Sequence, residues 1–174
     1  MLTLSYFIAI FAVFSYIGPV LQALTPMSRE QQSLTLALFG VSGVAGTLIG
    51  GAANDRFGAR RTLLVQLTVL GATMVLLPLT HGSWPLLMTT LIVWGTAGFG
   101  MMVPQQSRVA ALAPAQAPML LSLNTSMLYL GTAAGAIVGG AFAARHGFAQ
   151  LGWAGVPFVA AGLAILWAVH TSSP

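Results

Sequence analysis

One short segment, GAANDRFGARR (residues 51–61), concentrates the chain's capacity for ionic chemistry. Asp55, Arg56, Arg60 and Arg61 are half of its eight ionised side chains. With Gly51 and Gly58 they form the pattern G-x-x-x-D-R-x-G-x-R-R. A carboxylate among guanidinium groups can pair, or can cap a helix N-terminus. Gly58 can supply the positive φ that a tight reversal needs. Such a loop can favour one packing of its neighbours over another. As topogenic charge alone it would require neither the Asp nor a fixed Gly.

The remaining polar candidates are uncharged and scattered through apolar sequence: Tyr16, Gln22, Trp94, Gln105, Gln106, Asn124, Ser126 and Tyr129. Each taken singly suits an interhelical hydrogen bond worth about 1 kcal/mol. As a set they suit the lining of a wet cavity that carries a small molecule, because buried polar atoms in lipid need partners. Met101 and Met102 suit an adaptable apolar wall, or simply core packing.

The elements that must position these groups are membrane spans. Hydrophobic residues make up 57% of the 174 and charged ones 5%, against about a quarter charged in a soluble domain. Runs of 18 or more apolar residues read as transmembrane helices. Six are expected, over residues 2–24, 33–53, 62–80, 85–106, 119–144 and 151–170, in an all-α bundle forming one domain over residues 1–174. The charged segment then joins the second span to the third at a membrane face. Gly40, Gly43, Gly46, Gly50 and Gly51 share one face of the second span with Thr47, at about 100° per residue. Gly131, Gly135 and Gly139 form a doubled GxxxG in the fifth, which allows close backbone approach where no hydrophobic effect drives association.

The six Arg produce a net charge of +4, read as topology and not as a nucleic-acid surface. Arg56, Arg60, Arg61 and Arg108 fall on the face that carries both termini, and Arg29 and Arg145 on the other. The excess predicts cytoplasmic termini. The start, MLTLSYFIAIF, has no basic leader and reads as a retained first helix. Cysteine is absent, which excludes thiolate metal sites and Cys nucleophiles; no metal or other cofactor is expected. Neither Asp, Glu nor His lies deep in a span, so an ionisable relay is not expected within these residues. The segment SRVAALAPAQAP, with Pro114 and Pro118, reads as an interfacial loop.

Residues 51–61 resemble the signature loop of the major facilitator superfamily, G-x-L-A-D-R-x-G-R-R, which joins the second and third helices of each six-helix half. Ala53 stands for the usual Leu and Ala59 for the first Arg of the closing run, as in the less strict copy of the second half. MMVPQQSRVAALAPAQAP followed by LNTSMLYLGTAAGAIVGG is similar to the tenth-to-eleventh helix region of bacterial drug and sugar efflux members, the proton-antiporter branch. The resemblance covers the whole chain and implies the carboxy-terminal half of a twelve-helix inner-membrane transporter. Alternating access would work against a second six-helix half, either a missing amino-terminal half or a second copy. It further implies proton-coupled efflux of a drug, sugar or metabolite, with the coupling residue in the other half and the 51–61 loop as a conformational latch.

Two other classes compete. GVSG (residues 40–43) superficially matches an intramembrane serine protease motif, but a Ser nucleophile needs a base within reach. Ser42 falls about 13 Å inside its span, whereas His81, His146 and His170 fall near span ends. A non-transporting membrane partner is the remaining alternative. A channel would need a charged ring or carbonyl filter, and neither appears in the sequence.

Overall fold

The computed structural model describes the backbone of residues 1–171 and the side chains of residues 1–168. Among these the regular elements are all helical: α1 (Leu2–Phe14), α2 (Ile17–Leu24), α3 (Arg29–Phe57), α4 (Ala59–Leu76), α5 (Trp84–Gly100), α6 (Met102–Leu112), α7 (Ala117–His146) and α8 (Gly152–Thr171), with short 3-10 turns at Leu77–Thr80, Pro114–Gln116 and Phe148–Gln150. Five helical stretches are long and apolar enough to cross a membrane. The pair α1 and α2, bent by 56°, supplies a sixth. The chain is a multi-pass all-α membrane protein.

Several boundaries differ from those expected, each for a local reason. The second span, α3, starts at Arg29, not residue 33, because Ser28 and Gln31 form a reciprocal capping box: Ser28 Oγ accepts from Gln31 N–H at 3.2 Å and Gln31 Oε1 from Ser28 N–H at 3.0 Å. It continues to Phe57, so the expected loop shrinks to one residue. Gly58 alone, at φ 79° and ψ 157°, turns the chain from α3 into α4, in a backbone region that is essentially restricted to glycine. The segment expected as an interfacial loop is instead helical through Leu112, since no Pro or Gly interrupts residues 105–112.

Two spans are not continuous. The first breaks at Ser15 and Tyr16, the fourth at Met101. In each the break falls just after the residue four positions ahead of a proline, or on it: Pro19 cannot donate to Ser15 C=O, and Pro104 cannot donate to Gly100 C=O. Pro157, by contrast, sits inside α8 without ending it.

α1 occupies the centre. Its Tyr6, Ala9, Ile10, Ala12 and Val13 are buried, and it packs most closely on α7 and α8. α3 packs on α5, and α4 joins α5 to α8. Glycine makes the closest approaches possible. A Cβ on Gly139 would lie 2.1 Å from Ala12 C=O, and one on Gly50 would lie 2.0 Å from Gly100 C=O. Gly131 and Gly135 meet the backbone of α1 at Leu4 and Ile8 in the same way, and Gly46 meets Thr96 of α5. Gly43 instead faces the Phe99 ring at 3.1 Å, and Gly40 faces open space.

Candidate functional site

The charged turn sits where two helices meet end to end. Asp55 and Arg56 occupy the last turn of α3, and Arg60 and Arg61 the first turn of α4. The N-cap of α4 is Gly58, with no side-chain cap; the capping role open to Asp55 is therefore not taken. Among the described residues its carboxylate accepts only a long 3.4 Å bond from Asn54 Nδ2. The Arg56 guanidinium lies 5.3 Å from the centroid of the Phe57 ring, within cation–π range. Arg60 Nε is buried with no hydrogen-bond partner, and its charge acts on Arg108 of α6. The turn thus gathers cations against the α6 end of the fourth span.

The polar residues expected as one pathway separate into several places. Gln105 and Asn124 come together through a residue not singled out from sequence, Thr3. Gln105 Nε2 donates to Thr3 Oγ1 at 2.9 Å, and the Thr3 hydroxyl donates in turn to Asn124 Oδ1. This chain ties α6, α1 and α7 at the Arg108 end of the bundle, beside a cavity of about 290 Å³. Gln105 is buried and its Oε1 has no partner. Gln22 lies at the opposite end, where its Nε2 donates to Gln32 Oε1 at 2.9 Å. Tyr16 donates to Ala136 C=O at 3.0 Å and so fastens the first break to α7. Tyr129 and Gln106 are exposed, and the exposed Ser126 bonds back to Ser122 C=O of its own helix. Met101 is fully buried core.

Trp94 is also buried, and it stacks on Phe39 with centroids 5.1 Å apart and planes at 24°. In front of this pair opens a larger cavity of about 490 Å³, lined by Phe14, Ile17, Leu36, Phe39, Gly40, Gly43, Val44, Thr47 and Phe99. Its position follows from the helix breaks. Phe14 and Ile17 flank the break between α1 and α2, and Phe99 precedes the one between α5 and α6. Gly43 is the central residue of α3, and Phe14 stands about 18 Å along α1 from Leu2. The cavity is therefore at mid-height in the bundle. Its rings carried no sequence signal distinct from core aromatics; the signal that could have located it was the pair of prolines.

Among the described residues no histidine is hydrogen-bonded to Ser42. Ser42 Oγ donates to Phe39 C=O at 2.6 Å. His146 is exposed at the end of α7 with Nδ1 beside Phe142 C=O, and His81 is exposed in the turn before α5. The His170 side chain lies outside the described residues. Among the described residues no three His, Cys, Asp or Glu side chains are grouped to hold a metal.

Residues 2–172 match the family model of the Major Facilitator Superfamily. The chain belongs to that superfamily. It is 29% identical over 161 residues to the uncharacterized MFS-type transporter YbcL of Bacillus subtilis, covering 92% of this chain and 41% of that protein. It is 34% identical over 161 residues to the inner membrane transport protein YdhP of Escherichia coli K12, covering 91% and 40%. It is 29% identical over 165 residues to a Pasteurella multocida protein named "Probable sugar efflux transporter", covering 94% and 40%. The chain spans about two fifths of the length of these curated relatives. Each of these relatives is named as a transporter or transport protein.

Proposed function

We propose that the chain is the carboxy-terminal half-bundle of a bacterial inner-membrane efflux transporter that moves a small molecule by alternating access. The observation that carries this reading is the mid-height cavity between two proline-broken spans. Discontinuous helices at the midplane are how transporters of this kind build substrate sites, next to the interface between halves. A second six-helix half would complete the pathway, and α3 and α7 are the least buried spans, with long exposed faces to receive it. Among the described residues the acidic side chains, Glu30 and Asp55, lie on the first and last turns of α3, so a coupling proton would be carried by a group in that other half.

Asp55, Arg56, Arg60 and Arg61 act in this reading as a latch. The single-residue turn at Gly58 couples any tilt of α3 directly to α4, and the weakly engaged Asp55 carboxylate is available to pair across the interface. The glycine contacts of α3 with α5 and of α7 with α1 are the surfaces on which the spans are held together during rocking. Positive-inside bias orients the turn and both termini toward the cytoplasm.

Because the chain has no cysteine, single cysteines report water access directly. With the chain in lipid nanodiscs, Thr47→Cys in the cavity is expected to react with a water-soluble maleimide. Val65→Cys, on the exposed face of α4, is expected to stay protected by lipid. Equal protection of both positions, repeated with the second half present, counts against a hydrated pathway at the cavity.

A further inference from the structure

We propose that the mid-height cavity selects an uncharged aromatic or similarly flat apolar molecule in preference to a polyhydroxylated or charged one; this rests on the transport reading above and names the chemistry of its substrate. Three rings define the wall. Phe14 and Phe99 meet edge to face, with centroids 6.5 Å apart and planes at 84°. Phe39 meets Phe99 at 6.0 Å and 64°, and Phe14 at 5.7 Å and 32°. Trp94 backs Phe39 from the core side. Aromatic pairs favour offset and edge-to-face contacts at centroid distances of about 4.5–7 Å, so a further ring placed among these three meets faces and edges already arranged for it.

The space is provided by glycine. A Cβ on Gly40 would meet nothing within 4 Å, and one on Gly43 would press on the Phe99 ring at 3.1 Å. The resulting volume, about 490 Å³, is in the usual range of roughly 300–1,000 Å³ for small-molecule sites.

Polar complementarity is what the cavity lacks. Among the described residues Thr47 is the one polar side chain in its lining, and its hydroxyl already donates to Gly43 C=O at 3.0 Å. Each sugar hydroxyl left unpaired on binding would cost about 1–3 kcal/mol, so several would outweigh the favourable burial of the sugar's apolar faces. An ionised substrate would meet no opposite charge there. The amides that could have served a sugar, Gln105 and Asn124, line the separate cavity beside Arg108 and are not part of the aromatic wall.

Benzophenone, an uncharged aromatic that crosslinks on illumination, tests this with the chain in lipid nanodiscs and adducts mapped by mass spectrometry. Saturable labelling is expected on residues 36–47 and around Phe99. Gly40→Leu, which fills the open space, should lower it about tenfold, and Thr47→Leu serves as the second filling variant should the first not fold. Labelling of the lipid-facing groove formed by Val75, Val156 and Leu163 is expected to be non-saturable and unchanged. A hexose bearing an aliphatic diazirine should leave the cavity unlabelled. Hexose labelling of the cavity overturns the aromatic preference while leaving a substrate site in place; benzophenone labelling that is non-saturable and indifferent to both variants is partitioning without a site and overturns the preference. Absence of labelling by either probe overturns the preference and the transport reading together.

Discussion

The contact between α7 and α1 makes a quantitative demand on Gly139. Replacing it with Ala sets a Cβ 2.1 Å from Ala12 C=O and 2.9 Å from the same residue's carbonyl carbon. Both are helix backbone atoms, so no side chain can rotate away. Restoring ordinary contact needs the two helices to separate by on the order of 1 Å, which also loosens the neighbouring contacts of Gly135 with Ile8 and Gly131 with Leu4. Overpacking of this kind costs about 1–3 kcal/mol, roughly a 5- to 150-fold loss in the folding equilibrium. The matched control is Gly40→Ala, where the added methyl meets nothing within 4 Å and the cost is expected near zero. Unfolding of the purified chain in mixed micelles by increasing SDS, followed by loss of helical and tryptophan signals, measures both. Gly139→Ala should unfold at clearly lower SDS fraction than the parent, and Gly40→Ala at the same fraction. If the two variants prove equally stable, the close approach of α7 to α1 is not what holds the bundle together, and the reading of the doubled GxxxG as a packing seam is wrong.

Gly58→Ala forces a side chain into φ 79° and ψ 157°, a strain of about 1–3 kcal/mol; the same SDS assay should register it although nothing crowds that position, and unchanged stability would mean the turn does not need glycine. The link from Thr3 to Asn124 should show coupling of about 1 kcal/mol in a Thr3→Val and Asn124→Leu double-mutant cycle, with additive behaviour of the two changes counting against a hydrogen bond that joins α1 to α7.

Much of the architecture was legible in the residues because the bilayer imposes a simple rule: a long apolar run has to hydrogen-bond its own backbone and therefore becomes a helix. The six runs, the charged turn between the second and third, and the glycine spacing in the second and fifth spans all follow from that rule and from 3.6-residue periodicity. Helix ends were less legible. The start of α3 depended on a reciprocal bond between Ser28 and Gln31, and the extension of α6 on the lack of a breaker between Gln105 and Leu112, local features that hydropathy averages away.

The site was decided by tertiary structure. The sequence by itself determined a polytopic helical chain of the Major Facilitator Superfamily with one concentrated ionic turn, since composition, periodicity and a contiguous motif are local properties. It did not determine which uncharged residues meet. Thr3 joins Gln105 and Asn124 across more than a hundred residues of chain. Phe14, Phe39 and Phe99 converge from three separate spans, while Tyr129, equally aromatic, faces outward. Neither outcome is encoded in residue type, because which side of an apolar helix turns inward depends on its neighbours. That choice rests on glycine contacts and on two proline breaks that bring distant side chains to the same height.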